Sequence, residues 1–353
     1  MLFNELLKQT GEWLSGTGPE AEIVICCRLR LARNVQGFRF ISRMDADERE
    51  TCEKQVRAAI LKHGVVPSER YVALHEASPL DRKLLVERHL ISKEHEESKH
   101  PRGVAIDQGE QISIMVNEED HMRLQVFQSG LQLREALERA NVIDDKLASG
   151  LDFAFSPQLG YLTACPTNVG TGLRASVMLH LPALVLTRHI EKVFHAVSKL
   201  NLAVRGLHGE GTEASGHFYQ ISNQVTLGRS DLEILGNIEQ VVPTIVDYER
   251  KARAELLKRD RLRMEDRVWR AYGMLRTARI ISSEESLMLL SALRMGVHLN
   301  LLPDVELATI NELFLNTQPG HLQRIAEHEM EALERDARRA EYIRQKLNGK
   351  PQP

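Results

Sequence analysis

Two arginines stand two residues apart in the segment CCRLRL at 26–31, within a stretch rich in apolar and β-branched residues. A β-strand repeats every two residues, so Arg28 and Arg30 would project from the same face. Arginine forms paired hydrogen bonds with phosphate oxygens and stays charged at any working pH. The pair therefore predicts an anion site. The alternative is a solvated face of an edge strand.

Three further segments place acids, a thiol and glycines at predicted element ends. NEEDHMR at 117–123 joins two predicted strands and puts carboxylates beside an arginine, although acids are also ordinary turn residues. CPTNVGTGLRAS at 165–176 is predicted to enter a helix whose positive end would favour the thiolate of Cys165; the alternative is an inert buried cysteine. RGLHGEGT at 205–212 is a glycine-rich loop with one acid, suited to close approach of a ligand or to a plain turn.

The stretch GTGLRA at 170–175 matches the dinucleotide-binding pattern GxGxxA, and Glu191 lies near the distance expected for a ribose-binding acid. Its context does not fit, because the surrounding strands are not expected to form parallel βαβ units. The sequence also contains no GxxxxGK[ST] phosphate loop. Any nucleotide phosphates must therefore be held by side chains.

The elements that must position these residues are predicted from hydrophobic periodicity. Short runs rich in Val, Ile, Phe and Tyr alternate with helical patterns from about 22 to 227, which predicts an α+β fold. Short connections favour hairpins and a mostly antiparallel central sheet flanked by helices, since a parallel crossover needs a dozen or more residues. The predicted strands are 22–31, 71–74, 111–117, 122–128, 151–155, 203–206, 217–222 and 224–227.

Helical periodicity predominates after residue 230. The chain is longer than most single cores, so we expect a phosphotransferase domain at 1–259 and an all-helical domain at 260–353. The predicted helices are 45–62, 131–147, 172–181, 183–200, 231–264, 268–277, 283–295, 303–316 and 325–347.

Composition narrows the possible partners and compartment. With 46 Lys+Arg against 49 Asp+Glu, the net charge of -3 gives no general attraction to nucleic acid or to an anionic membrane. The longest apolar run, 175–187, contains His180 and Pro182 and is predicted to be a buried helix, too short to cross a bilayer. The first ten residues lack a signal-peptide pattern, and the four cysteines lack metal or disulfide spacing, which fits a reducing cytoplasm.

Four segments in this order, NEEDHMR, CPTNVGTGLRAS, RGLHGEGTEA and FYQISN, resemble the catalytic core of the guanidino (phosphagen) kinases over roughly residues 22–247. The resemblance implies ATP-dependent phosphorylation of a guanidinium group, with Mg²⁺ held mainly by phosphates and water and no dedicated metal site. It implies that five arginines clamp the nucleotide phosphates: Arg28, Arg30, Arg123, Arg174 and Arg205.

The same resemblance assigns the remaining site residues. Glu119 and Glu210 correspond to the two carboxylates that hold the guanidinium, with Glu210 as the base, and Cys165 corresponds to the thiolate beside it. His89 would contact the nucleotide, although a lone surface histidine is the alternative. Further nucleotide contacts are implied for Cys26, Cys27, Leu29, Ala175, Ser176, Val177, Met178, Gly206, Leu207, His208 and Gly209.

The position of the helical domain indicates which guanidinium is the substrate. In small-molecule guanidino kinases a helical domain precedes the arginine pair, but the segment before Arg28 is too short to form one. Here a helical domain containing RDARRA at 335–340 follows the core instead. This arrangement resembles the bacterial protein arginine kinases, although the cysteines at 26–27 replace the usual small hydroxyl residues. The resemblance implies that Arg335, Asp336 and Arg339 form a phosphoarginine pocket. From their spacing alone, the alternative is a helix face of salt bridges.

The resemblance further implies that arginine phosphorylation marks proteins for Clp-dependent degradation and relieves stress-gene repression. The implied partners are substrate proteins including a stress-gene repressor, a zinc-binding activator protein, a Clp unfoldase, and further copies of the chain in a dimer or larger oligomer. No direct nucleic-acid or membrane partner is expected. The alternatives are a kinase of free arginine and a catalytically silent phosphoarginine-binding adaptor. Retention of both glutamates and all five arginines argues against the silent adaptor.

Overall fold

A central antiparallel sheet organises most of the chain in the computed structural model, which describes residues 2–206 and 215–349. The strands are β1 Val24–Arg33, β2 Tyr71–Ala73, β3 Gly103–Ile106, β4 Ile112–Val116, β5 Met122–Ser129, β6 Phe155–Ser156, β7 Gly160–Tyr161, β8 Leu173–His180, β9 Leu202–Gly206 and β10 Phe218–Asn223. Every strand pairing within the described residues is antiparallel, and β1 lies in the interior of the main sheet, whose order is β2-β3-β4-β5-β1-β8-β10-β9. β6 and β7 form a separate hairpin.

Helices flank this sheet and form all of the regular structure after β10 in the part of the chain that is described. The predicted α+β architecture with a helical C-terminal region is thus confirmed. The helices are α1 Leu2–Leu6, α2 Ala46–Lys62, α3 Pro79–Glu87, α4 Lys93–Glu97, α5 Leu133–Ala148, α6 Pro182–Leu186, α7 Ile190–Ser198, α8 Asp231–Thr277, α9 Ser283–His298, α10 Leu307–Asn316, α11 Pro319–Ala326 and α12 Ala332–Asn348. None of them is both long and apolar enough to span a bilayer.

Several helix starts are set by local sequence. The side chains of Asp45, Ser78, Ser92, Ser230 and Ser282 each accept a hydrogen bond from a backbone N–H in the first turn of the helix that follows. Such capping satisfies donors that have no partner within the helix. The starts of α3 and α4, the helices on either side of the predicted nucleotide-binding histidine, are therefore defined locally.

The two faces of the sheet are covered by different helices. On one face, Leu29 and Leu31 of β1 pack with α5 and the first part of α8. On the other face, Phe127 and Phe218 pack with Phe314 of α10, whose ring centroid lies 4.9 Å from that of Phe218. The second part of α8 forms a further core with α9, α10 and α12. The two-residue repeat of β1 therefore directs Arg28 and Arg30 towards the C-terminal helices.

The prediction of a helix at 172–181 is wrong. These residues form β8, which pairs with β1 and β10 in the interior of the sheet. A strand buried on both faces loses the apolar–polar alternation, so a short apolar run cannot be assigned to helix or strand by periodicity alone. Of the buried helix predicted at 175–187, residues 175–180 belong to β8 for the same reason, and only 182–186 are helical, as α6. The helix predicted at 183–200 divides into α6 and α7 near Arg188, whose φ is 58°.

Other predicted boundaries also need correction. Of 151–155 only Phe155 belongs to a strand, 224–227 forms none, and β3 was not predicted. β1 lies in the sheet interior and is not an edge strand. The helices predicted on either side of 265 are one helix, α8, broken at Asp260 with φ -154° and ψ 62°. The helix predicted at 325–347 is α12, preceded by α11, which ends at Ala326 and is followed by Glu327 with φ 61°.

Candidate active site

One cavity of about 1180 Å³ brings together the predicted residues that come from separate strands and turns. It lies between the arginine-bearing face of the sheet and the C-terminal helices. Its lining includes Arg28, Arg30, His89, Glu119, Arg123, Cys165, Arg174 and Arg205.

The strand register concentrates positive charge in this cavity. Arg30 lies directly opposite Arg174 in the β1–β8 pairing, and Arg28 donates a hydrogen bond to Gln220 Oε1 at 3.4 Å. Burial, then repulsion from Arg123 and the other arginines, lowers the pKa of Arg28 to about 10, and the pKa of Arg30 is lowered in the same way. Like charges opposite each other are destabilising on their own. A polyanion such as a nucleotide triphosphate would offset this repulsion.

A buried carboxylate that sequence reasoning missed holds one of these arginines. Glu118 accepts hydrogen bonds from Arg123 Nη1 at 2.7 and 2.8 Å and from Ser92 Oγ at 2.5 Å. Burial alone would raise the pKa of Glu118, but the charge of Arg123 and these hydrogen bonds outweigh it and lower that pKa to about 2. Of the two adjacent glutamates in NEEDHMR, the sequence assigned only Glu119; turn geometry alone did not show which of them is buried.

Both glutamates belong to the cavity lining, but Glu119 is exposed whereas the side chain of Glu118 is nearly buried. Its partial burial, followed by the charges of Asp120 and Glu118, raises the pKa of Glu119. A carboxylate in this position is open to solvent and to an incoming cation. It can therefore pair with a guanidinium group once it is ionised.

Cys165 lies at the start of a three-residue turn, Pro166–Asn168, and not at the start of a long helix. The predicted helix dipole is therefore absent at this thiol, because β8 follows the turn. The sulfur lies 3.0 Å from Thr167 Oγ1 and lines the cavity. The other three cysteines are buried, so Cys165 is the accessible thiol of the four, all of which are described.

Alternation along β1 and β8 divides the remaining predicted nucleotide contacts. Cys26, Ser176 and Met178 line a small cavity of about 20 Å³ next to the arginines, where burial raises the pKa of Cys26 to about 12. The opposite face of the sheet receives four other side chains, which lie in the core: Cys27, Leu29, Ala175 and Val177. Their nucleotide-binding role stays a prediction.

The remaining nucleotide-binding predictions come from two loops. His89 has φ 59°, and its ring packs edge-on against Trp13 with centroids 4.9 Å apart. Gly206 is the last residue of β9. Three further predicted nucleotide contacts of the glycine-rich loop after β9 lie outside the described residues: Leu207, His208 and Gly209. The predicted base, Glu210, also lies outside them.

The C-terminal helices complete the cavity, which sequence reasoning did not anticipate. Phe314 and Leu315 of α10 and Gln318, which precedes α11, belong to its lining. These residues carry no local sign of such a role, because only packing of α10 on the sheet brings them there. Glu87, at the end of α3, accepts hydrogen bonds from the backbone N–H of Gly320 at 2.6 Å and of His321 at 3.0 Å, which joins the two regions.

The structure separates the side chains of the RDARRA motif on α12. Arg339 is buried, donates to the backbone oxygens of Thr317 and Ile281 at 2.8 Å each, and pairs with Asp336 at 2.5 Å. Arg335 instead lines a second cavity of about 330 Å³ together with Lys83 of α3. The motif thus contains the salt bridge expected of a plain helix face and also one arginine that points into a cavity.

No group of three or more His, Cys, Asp or Glu side chains in residues 2–206 and 215–349 is arranged to hold a metal ion. The arginine-lined cavity suits the phosphates of ATP, since guanidinium groups match phosphate oxygens in geometry and charge. A magnesium ion bound to those phosphates would reduce the charge on the phosphoryl group during transfer.

Comparison with known proteins shows which family the chain resembles over its length. Residues 51–252 match the family described as ATP:guanido phosphotransferase, C-terminal catalytic domain, and residues 261–353 match the protein-arginine kinase McsB C-terminal domain. The chain is 51% identical over 352 residues to a protein-arginine kinase of Symbiobacterium thermophilum, covering 99% of this chain and 100% of that protein. A protein-arginine kinase of Bacillus subtilis is 43% identical over 346 residues, with 96% and 95% covered.

Solved structures of small-molecule kinases resemble part of the chain. A crystal structure of lombricine kinase has a TM-score of 0.58 and 29% identity, covering 68% of this chain and 69% of that one. The duplicated taurocyamine kinase from Schistosoma mansoni with bound transition-state analogue components has a TM-score of 0.60 and 28% identity, covering 69% of this chain and 35% of that chain.

Proposed function

Because the chain belongs to the protein-arginine kinases of the ATP:guanido phosphotransferase family, we propose that it phosphorylates arginine side chains of other proteins in this cavity. We propose that this modification marks those proteins for degradation. Family membership confirms the resemblance inferred from the motifs, and the chain is an ATP:guanidino phosphotransferase. The roles of individual residues and the consequences of phosphorylation belong to the proposal.

One observation supports the proposed site most strongly. Five arginines, Glu119 and Cys165 line a single cavity, although they come from four strands and two turns spread over residues 28 to 205. Cationic side chains for a triphosphate and an accessible carboxylate for a guanidinium are the two recognition elements that the reaction requires. Such a convergence has no evident structural purpose, because the arginines repel one another.

In the proposed reaction a guanidinium nitrogen attacks the γ-phosphorus of ATP. The nitrogen–phosphorus bond forms as the bond to the leaving oxygen of ADP breaks, and the nitrogen loses a proton to a carboxylate. We assign that proton to Glu210, which lies outside the described residues, and the second clamp on the guanidinium to Glu119. Cys165 would lie against the guanidinium, and the five arginines would hold the phosphates in line and stabilise the charge of the transferring group.

The first experiment separates protein arginine from free arginine as the substrate. The enzyme is incubated with ATP and Mg²⁺ and either an unfolded basic protein or free arginine, and phosphoarginine is measured by mass spectrometry under non-acidic conditions. We expect phosphoarginine in the protein, and none in a Glu119→Gln control. Transfer to free arginine alone would contradict the proposal.

A second proposed site lies in the C-terminal region, which we place at 260–353 after a phosphotransferase domain at 1–259. We propose that Arg335, Asp336 and Arg339 form a binding site for phosphoarginine. The match of residues 261–353 to the McsB C-terminal domain supports this proposal, as does the cavity lined by Arg335 and Lys83. The pair between buried Arg339 and half-buried Asp336 would support the helix that carries Arg335.

Binding of phosphoarginine to the full chain, measured by calorimetry, tests this receptor. Arg335→Ala and Asp336→Ala should each weaken binding while transfer activity is retained. Equal binding by both variants and the parent would leave the motif with only its helix-face salt bridges.

We further propose the biological setting that the family resemblance suggests. The partners would be a stress-gene repressor among the substrates, a zinc-binding activator protein and a Clp unfoldase, and the chain would act in the cytoplasm as a dimer or larger oligomer. The four free cysteines are consistent with a reducing compartment. Recovery of phosphorylated proteins with an inactive Clp unfoldase, lost in Glu119→Gln cells, would test the degradation role.

A further inference from the structure

Asn34, immediately after β1, forms a hydrogen-bonded junction between two segments of the active site. It is buried, with 2% of its surface exposed. Its amide nitrogen donates to Asp120 Oδ1 at 2.6 Å and to the backbone oxygen of Leu162 at 2.9 Å. Its amide oxygen accepts from the backbone N–H of His121 at 2.9 Å. The side chain of Asn34 therefore joins the β4–β5 turn to the segment before Cys165.

Asp120 makes the same connection directly. It is 1% exposed, and its Oδ1 also accepts from the backbone N–H of Ala164 at 2.7 Å. His121 Nδ1 accepts from the backbone N–H of Val35 at 2.9 Å, so Nε2 carries the proton and donates to the oxygen of Arg39 at 2.8 Å. The turn is thus fixed to the chain that follows β1 at two successive residues.

The junction contacts residues that are next to two proposed active-site residues in the chain. Glu119 is next to Asp120 in the chain, and Cys165 is next to Ala164. A single hydrogen bond of 2.7 Å therefore joins the neighbours of the two groups that would hold the guanidinium. The turn and the cysteine segment have no strand pairing with each other among the described residues, so side chains must set their separation.

We propose that Asn34 and Asp120 are positioning residues that set the distance between Glu119 and Cys165 across the guanidinium site. This inference rests on the proposed roles of Glu119 and Cys165. A guanidinium held by a carboxylate requires fork-matched geometry, and a displacement of about 1 Å can reduce turnover by about 100-fold. The arginine cluster lies on the strands themselves, and its geometry does not depend on this junction.

Steady-state kinetics on the full chain, with an unfolded basic protein as substrate, separate positioning from general stability. Asn34→Ala and Asp120→Ala should lower kcat by roughly 10- to 100-fold, with KM for ATP within about twofold of the parent. Asp120→Asn keeps the acceptor oxygen that receives both hydrogen bonds and should restore kcat to within about fivefold of the parent. Activities are scaled to the folded fraction of each variant, measured by circular dichroism.

Glu53→Ala is the matched control. Glu53 is also a buried carboxylate, accepting a hydrogen bond of 2.6 Å from Tyr71, but it lies on α2 and outside the cavity lining. Its loss should lower the melting temperature and leave kcat of the folded enzyme unchanged. If Asp120→Ala does not fold, Asn34→Ala removes the Asn34–Asp120 and Asn34–Leu162 hydrogen bonds while it leaves the Asp120–Ala164 hydrogen bond in place.

The outcomes test the positioning role of Asn34 and Asp120 separately from the assigned role of Glu119. Parental kcat in Asn34→Ala, or an Asp120→Asn variant as slow as Asp120→Ala, would overturn the inference. A Glu119→Gln variant with parental turnover would instead overturn the assignment of Glu119, whatever the junction variants show. Slow turnover in the alanine variants with a matching loss of ATP affinity would also refute positioning, because it would indicate a distorted sheet.

Discussion

Replacing Glu118 by glutamine should destabilise the protein more than the same change at its neighbour Glu119. Glu118 is nearly buried, with 5% of its side chain exposed, and it pairs with Arg123. Glutamine keeps the size of the side chain but removes its charge. Arg123, with 21% of its side chain exposed, would then remain beside other arginines without its compensating carboxylate.

The pKa of Glu118 sets the size of the effect. A fall from the ordinary value of 4.5 to about 2 on folding corresponds to about 3 kcal/mol of stability at neutral pH, at about 1.4 kcal/mol per unit. Loss of one partner from a buried ion pair costs about 3–5 kcal/mol, which agrees. Because the folded pKa is depressed, the stabilisation is complete above pH 4.5 and is lost as pH falls towards 2.

Urea unfolding followed by circular dichroism provides the assay. At pH 7, Glu118→Gln should lower the free energy of unfolding by about 3 kcal/mol, whereas Glu119→Gln should change it by less than about 0.5 kcal/mol. The deficit of Glu118→Gln should persist at pH 5 and diminish only in more acidic solution. Equal stability of the two variants at pH 7 would show that the buried pair does not stabilise the fold.

Three further predictions concern other parts of the molecule. Arg339→Ala should lower the free energy of unfolding by about 3 kcal/mol, because its buried guanidinium joins α12 to the backbone just after α10 and just before α9. Arg338→Ala, whose pair is exposed, should cost less than about 0.5 kcal/mol, and equal urea midpoints of the two variants would refute this. In the pH profile of kcat/KM, the apparent pKa of the acidic limb should lie above the ordinary range of a glutamate, because the pKa of Glu119 is raised and its carboxylate is protonated earlier as pH falls. An apparent pKa within the ordinary range would count against the role of Glu119. Gly172→Ala should lower the melting temperature, because φ is +68° and the new Cβ would lie 2.6 Å from the backbone oxygen of Ala32; an unchanged value would contradict this account.

Local patterns predicted the elements whose signals are strong. α2 and α5 occur within two residues of the predicted bounds, since an amphipathic repeat and a helix start are local properties. β1, β4 and β5 were also found, because their runs are short and bounded by turn residues. β8 was mistaken for a helix, because a strand buried on both faces has no alternation to reveal it.

The sequence by itself determined the family, the antiparallel sheet and the residue types that meet in the cavity, since motifs and strand periodicity are written in the order of residues. Only the tertiary structure decided which adjacent residue faces inward, as with buried Glu118 and exposed Glu119. It also decided that Phe314 lines the cavity and that Asn34 joins the turn to the cysteine segment. These contacts connect residues tens to hundreds of positions apart, and their free energy depends on packing that no local pattern encodes.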